Sequence, residues 1–309
     1  MTEPQLISHD LSRNDMTQSV SGITERIQER GDLPHVSVTR QLDLLDQLQA
    51  FSLGRFLIRN QGLNGFWTHF ICMHPEKGKI SGLDLDGRPF TDLERSILEE
   101  FPGILATQER FNIFRALVKK SAQEGSVLAS IPCGIMGDLL LSGLQASQKI
   151  KLVGIDLDGE ALQQAQQLAG EAELMKETEF RKEDAWKLSS KEEFSLICSN
   201  GLNLYEPSEE KVTDLYAQFY QALKTPGILV MSFLTYPPVF PEQCRWDMTK
   251  VDLDSYLLQR IVFKEIIGAK WQCYRSEEQT LAQLRRVGFS DIEVTYDKAK
   301  IFPTLLAKK

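Results

Sequence analysis

The stretch Gly125 to Leu141, GSVLASIPCGIMGDLLL, limits the folds open to this chain more than any other. An apolar run breaks at Pro132-Cys133-Gly134, loops through Gly137 and resumes as Asp138-Leu139-Leu140-Leu141. A buried strand that enters a glycine loop and then a helix has this pattern. In open α/β sheets the crevice at the carboxyl end of such a strand takes ligands, because the loop backbone and the helix N-terminus present free N–H groups there.

Downstream of the loop the chain alternates between strand and helix patterns, the mark of a parallel sheet covered on both faces. Strands are expected at Lys151 to Ile155, Glu179 to Lys182, Phe194 to Ser199 and Ile228 to Phe233. Helices are expected from Glu160 to Leu174 and through Val212, Leu215, Phe219 and Leu223. Ser276-x-x-Gln279 is a capping box whose helix ends at Gly288, and two alternating strands joined by DKAK close the chain. The proline-rich segment Tyr236 to Tyr274 reads as an insertion, a lid or a structural cover.

Upstream the pattern is helical. Gln41 to Asn60 reads as one packed helix, Phe66 to Phe70 as part of a turn-rich stretch, and Thr91-x-x-Glu94 as a capping box whose helix Pro102-Gly103 ends. A further helix is expected from about Thr107 to Lys120. The expected domains are a mobile arm over 1–35 with at most a short helix around Ile23 and Ile27, a helical region over 36–106 that covers substrate or mediates a homodimer, and an α/β domain over 107–309 with its insertion at 236–274.

A net charge of -8 disfavours nucleic acid as a main partner, since no broad cationic surface is available to neutralise phosphates. The five cysteines are widely spread with no C-x-x-C, which fits a reducing cytoplasm. No apolar run is long enough for a membrane helix. The four histidines, His9, His35, His69 and His74, all precede the glycine loop, and His69 with His74 lack the i, i+4 spacing of two ligands on one helical face. No metal is expected.

Asp156 stands 22 residues beyond Gly134, at the end of the second expected strand. A carboxylate there can accept from the hydroxyls of a ribose lying across the strand ends, while Asp158 reads as the cap of the next helix. Asp184 with small Ala185 ends the third strand, where it could accept from an exocyclic amine or simply belong to a surface loop. Asn200-Gly201 ends the fourth in a tight turn bordering the same crevice.

This ordered set resembles the class I S-adenosylmethionine-dependent methyltransferases over about Thr107 to Lys309. The resemblance implies an α/β fold with a doubly wound, mostly parallel seven-stranded sheet and a C-terminal antiparallel hairpin, here with a mainly helical N-terminal region in front. It implies S-adenosyl-L-methionine as cofactor and methyl transfer to a small-molecule acceptor. Pro132, Cys133, Gly134 and Gly137 would line the methionine end, Asp156 would hold the ribose, Leu157 would pack on adenine, Asp184 with Ala185 would read its edge, and Asn200 would face the methyl-transfer region.

The loop departs from the family pattern. An acidic residue and three glycines are usual, whereas this chain has Ser130, Pro132, Gly134 and, one residue late, Gly137, with Asp138 as a substitute carboxylate. The absence of G-x-G-x-x-G argues against a nicotinamide enzyme. Two alternatives keep the sheet: a cofactor-binding sensor or assembly protein without catalysis, and another nucleoside-cofactor transferase. Methyl transfer needs chiefly placement of the acceptor, and if a base assists, His69 and Tyr205 are the candidates. Tyr205, Tyr236, Trp246 and Tyr274 fall on loops at the carboxyl edge, as an aromatic pocket or as packing.

Overall fold

The computed structural model describes residues 15–270 and 273–309. They form two compact units, with the division inside one helix between Gln108 and Glu109. One unit holds residues 15–108 and 248–270, the other 109–247 and 273–309.

In the helical unit, α1 (Met16–Arg30) opens on an Asp15 cap, and Gly31 ends it at a φ of +76°. Its Ile23 and Ile27 lie in the unit's core, so residues 16–30 are a packed helix and not the expected mobile arm. Two well-placed isoleucines at i and i+4 suffice to dock an otherwise polar helix. Residues 1–14 of that arm lie outside the described residues.

The single helix expected from Gln41 to Asn60 is two, α2 (Val38–Gln49) and α3 (Ser52–Asn60). The break lies at Phe51, whose backbone is extended, and Gly54 lets the two segments close: a Cβ there would sit 2.0 Å from the Leu48 carbonyl oxygen. The stretch around Phe66 is also helical, α4 (Gly65–Met73), capped by Asn64. Trp67 packs there against Phe56, Phe66 and Phe70 with ring centroids 5.2 to 5.8 Å apart, and this burial overrides the local turn composition. A short α5 (Gly78–Ser81) precedes α6 (Asp92–Glu99), where the Thr91 hydroxyl accepts from Glu94 N–H at 3.2 Å. α6 ends ahead of Pro102 as expected, and the same proline also starts α7 (Pro102–Ser121), earlier than the expected Thr107, at a first position where a missing N–H costs nothing.

Glu94 is 1% exposed and its Oε2 has no hydrogen-bond partner among the described residues. Burial, with the Asp84 carboxylate adding to it, raises its pKa from 4.5 to about 7. A carboxyl raised on folding contributes its full stability below the unfolded value and loses it as pH rises through the folded one. Glu94→Gln is therefore expected to be more stable than the wild type by roughly 1 kcal/mol near pH 8, with the difference vanishing below about pH 4.5. Urea titrations at the two pH values measure this.

The sheet unit begins β1 (Val127–Ser130), α8 (Gly137–Leu140), β2 (Lys151–Asp156), α9 (Gly159–Glu171), β3 (Thr178–Lys182), β4 (Phe194–Ser199), α10 (Glu209–Ala222) and β5 (Leu223–Ser232). β5 starts five residues before the expected Ile228 and carries Pro226-Gly227 within it, next to the register shift opposite Phe194 and Leu196. The chain then leaves for the helical unit. There α11 (Leu253–Arg260) continues as a π-helical stretch, Ile261–Ile267. Ile261, Val262, Phe263, Ile266 and Ile267 are buried in the helical core. Arg30 fastens the segment: Nη1 pairs with Glu265 Oε2 at 2.8 Å and Nη2 donates to the Glu265 carbonyl at 3.1 Å. Most of the expected 236–274 insertion therefore belongs to the helical unit.

The chain returns for α12 (Glu277–Val287), opened by the full Ser276–Gln279 capping box, then β6 (Ser290–Thr295) and β7 (Thr304–Lys308). The sheet order is β3-β2-β1-β4-β5-β7-β6, with β1 to β5 paired in parallel and β7 antiparallel between β5 and β6. The α/β fold is thus the seven-stranded sheet with a closing hairpin that the resemblance implies.

Candidate functional site

The strand order reverses direction between β1 and β4, and at such a switch point the flanking connections diverge to leave a crevice at the carboxyl ends. Ser130, at the end of β1, is in register with Gly154 of β2 on one side and Cys198 of β4 on the other. The loop beyond it is stitched to both neighbours: Ile131 N–H donates to the Cys198 carbonyl at 2.8 Å and Cys133 N–H to the Ile155 carbonyl at 2.9 Å.

Within the loop, Gly134 has a φ of +49°, and its N–H donates to Asp156 Oδ2 at 2.8 Å. Met136 has a φ of +61°, uncommon for a side chain of its size. Gly154 explains what holds it: a Cβ there would meet Met136 Sδ at 3.1 Å, Phe180 at 3.1 Å and Cys133 Sγ at 3.2 Å. The buried Met136 thioether fills the space beside Gly154. Gly137 then starts the single turn of α8.

Asp138 is 5% exposed, and the Ser130 hydroxyl is hydrogen-bonded to its carboxylate, 2.9 Å from Oδ2 and 3.1 Å from Oδ1. Burial pushes its pKa up to about 6, and the Ser130 hydroxyl and the Leu139 N–H hold it from rising further. A carboxylate thus stands beside the end of β1, although β1 itself supplies only a serine.

Asp156 is 9% exposed and accepts from Asp158 N–H at 2.9 Å through Oδ1, besides Gly134 through Oδ2. Burial raises its pKa, with these backbone donors opposing the rise. Asp158 caps α9, accepting from Glu160 N–H at 2.9 Å. Leu157, between the two carboxylates, is half-buried. Glu183 N–H donates to the Asp156 carbonyl at 3.2 Å, which joins the ends of β2 and β3. Asp184 accepts from Trp186 N–H at 3.0 Å, and Ala185 is buried.

Beyond β4, Asn200 carries a buried Oδ1 without a hydrogen-bond partner among the described residues. Gly201 turns the chain at a φ of +105°. Asn203 donates to the Tyr216 hydroxyl at 3.1 Å and the Ser232 carbonyl at 3.0 Å, fixing the loop to β5. The structure brings Pro132, Cys133, Gly134, Gly137, Asp156, Leu157, Asp184, Ala185 and Asn200 to the carboxyl edges of β1 to β4.

The two candidate bases fare differently. Tyr205 sits on the loop after β4, but burial raises its phenol to about 12, opposed by the nearby Arg110 guanidinium, so it is a phenol and not a phenolate near neutral pH. His69 stands on α4 of the helical unit, where burial and Lys77 lower its pKa to about 4 and leave the imidazole neutral. Sequence reasoning missed Arg110 and Arg275. Arg110, on α7, lies over the Phe302 ring at 4.3 Å and donates to Ser232 Oγ at 3.3 Å. Nothing in a local helical pattern distinguishes such a buried arginine from a solvated one.

Residues 131–227 match a family model described as a methyltransferase domain. A solved structure described as a possible exported protein from Bordetella parapertussis is 39% identical, with 96% of this chain and 98% of that one covered at a TM-score of 0.87. S-adenosylmethionine-dependent methyltransferases from Mesorhizobium loti and Methanosarcina mazei are each 18% identical, with TM-scores of 0.47 and 0.46. They cover 64% and 62% of this chain and 96% of each of those chains. No curated protein sequence matches. Among the described residues no helix is long and apolar enough to cross a membrane. Residues 131–227 of the chain thus carry a methyltransferase domain, set in a seven-stranded sheet of the order β3-β2-β1-β4-β5-β7-β6.

Proposed function

We propose that this methyltransferase acts on a small-molecule acceptor, and that Asn200 marks the place of transfer. The observation that carries this reading is its buried, unpartnered Oδ1 at the end of β4. A buried acceptor left unsatisfied costs about 1–3 kcal/mol, a cost that a ligand offering a polarised hydrogen would remove. The rest of the edge also fits the cofactor. Each Asp156 oxygen takes one backbone N–H and keeps a lone pair for a ribose hydroxyl. Pro132, Cys133, Gly134 and Gly137 would border the methionine end, and Leu157, Asp184 and Ala185 the adenine. Asp138, held by Ser130, would supply the negative charge that attracts the α-ammonium group.

When bound, the cofactor supplies an electrophilic methyl on a sulfonium sulfur, so the chain's own task is placement and exclusion of water. No base is needed from the sheet unit, and its Tyr205 phenol is a poor one. We assign the reaction to a reducing cytoplasm, a reading supported by five cysteines that form no disulfide. Calorimetry with S-adenosylmethionine and S-adenosylhomocysteine is expected to show saturable binding of both, on the order of micromolar. Heat absent for both at about millimolar concentration would sink the reading.

A further inference from the structure

Beyond the end of β5 the chain builds an aromatic surface that the cofactor residues leave unused. Thr235 anchors it: its N–H donates to the Ile301 carbonyl at 3.1 Å, and its hydroxyl accepts from Trp246 Nε1 at 2.9 Å. The returning segment is fixed from two sides, since Cys273 N–H donates to the Leu204 carbonyl at 3.0 Å and Arg275 N–H to the Leu234 carbonyl at 2.8 Å. Tyr274, between them, therefore stands between the β4 loop that begins with Asn200 and the extension of β5.

Tyr236, Phe240 and Tyr274 meet there. Their ring centroids are 5.7 Å (Tyr236 to Phe240), 5.8 Å (Tyr236 to Tyr274) and 5.8 Å (Phe240 to Tyr274) apart. The ring planes are inclined to one another by 41 to 78°, so the three line no cage for a cation; what the cluster offers is an outer face led by the exposed ring of Phe240. That face is open, with Phe240 43% and Val239 40% exposed, on a turn closed by the Phe240 N–H to Pro237 carbonyl bond at 2.9 Å. Apolar rings held on a rigid turn beside a reaction site are a stacking platform.

We propose that Tyr236, Phe240 and Tyr274 form the acceptor platform, and that the acceptor is a planar aromatic or heteroaromatic molecule presenting a ring hydroxyl or ring nitrogen. This rests on the methyltransferase reading above. The acid–base inventory independently favours the same class. The sheet unit has no histidine, and the Tyr205 phenol is held protonated. A conjugated ring hydroxyl or ring nitrogen suits such a site, because it brings its own lone pair or loses its proton readily to water.

The test titrates the fluorescent planar phenol 7-hydroxycoumarin into the full chain, with and without saturating S-adenosylhomocysteine, and follows anisotropy. Saturable binding is expected, weakened about tenfold or more in Phe240→Ala, the scale of one lost ring-stacking contact. Phe240→Leu keeps most of the apolar area and loses the ring face, and is expected to weaken it by nearly as much. Cyclohexanol, of similar polarity but not planar, is expected not to compete. Because Phe240 is exposed, calorimetric binding of S-adenosylhomocysteine should be unchanged in both variants. Coumarin binding that is absent, or equal in Phe240→Ala and wild type, overturns the platform even when S-adenosylhomocysteine binds. Failure of S-adenosylhomocysteine to bind overturns the underlying methyltransferase reading instead, and with it the acceptor role. Concentration-dependent self-association that Phe240→Ala abolishes would show the face to be a protein contact and likewise overturn the proposal.

Discussion

Asp156→Ala is expected to weaken S-adenosylmethionine binding by about 2 to 4 kcal/mol, roughly 30- to 1000-fold in Kd. The side chain has two tasks, and alanine removes both. As a carboxylate it would accept from ribose hydroxyls, charge-assisted bonds stronger than neutral ones. As a brace it holds Gly134 N–H and Asp158 N–H, so its loss frees the glycine loop as well as the ribose side. Asp156→Asn keeps the shape but turns an amide N–H₂ toward one of those two donors, and an intermediate loss is expected. Calorimetry measures the affinities, and urea unfolding separates a loosened loop from a missing ligand contact. Affinity unchanged in Asp156→Ala would mean that the ribose lies elsewhere.

Arg275→Ala is expected to lower stability by about 3 to 5 kcal/mol, the largest effect among these substitutions. Arg275 is 1% exposed and its guanidinium donates to the carbonyls of Asn203 and Glu206. Truncation strands two acceptors, at roughly 1–3 kcal/mol each, and opens a void where a long side chain was. Its ion pair with Glu209 adds little, because that carboxylate is 47% exposed. The loss should therefore be nearly independent of salt, which urea titrations at low and high ionic strength will show. Arg275→Lys is expected to recover only part, since an ammonium lacks the fork that reaches both carbonyls. A salt-sensitive loss would shift the weight to Glu209.

Much of the sheet is legible in the sequence because its strands are short apolar runs bounded by polar turns, and β4 falls at Phe194–Ser199 as its residues imply. Strand order comes with the family resemblance, since periodicity says nothing about which strands are neighbours. The cofactor-side residues are legible for a similar reason: each stands at a strand end, so locating the ends locates them. The α2/α3 break is hidden because the apolar spacing runs on through Phe51, and only the backbone approach at Gly54 reveals it. Pro102 misleads because proline stops one helix and opens another with equal ease. The excursion through Ile261–Ile267 has an unmistakable apolar stripe, but a stripe names no partner, and its core lies more than 150 residues earlier in the chain. Met136 in a left-handed turn has no local signal at all, because what stabilises it is the bare Cα of Gly154 on the neighbouring strand.

That excursion also sets the order in which a nascent chain can finish folding. The helical unit is encoded mostly before Gln108, yet five of its core side chains, Ile261, Val262, Phe263, Ile266 and Ile267, are among the later residues made. Domains ordinarily fold as they leave the ribosome, N-terminal first. Here the first unit to begin must wait, with an unfilled apolar face, until five sheet strands have been synthesised behind it. A message truncated anywhere before codon 261 would therefore yield a product with neither unit whole.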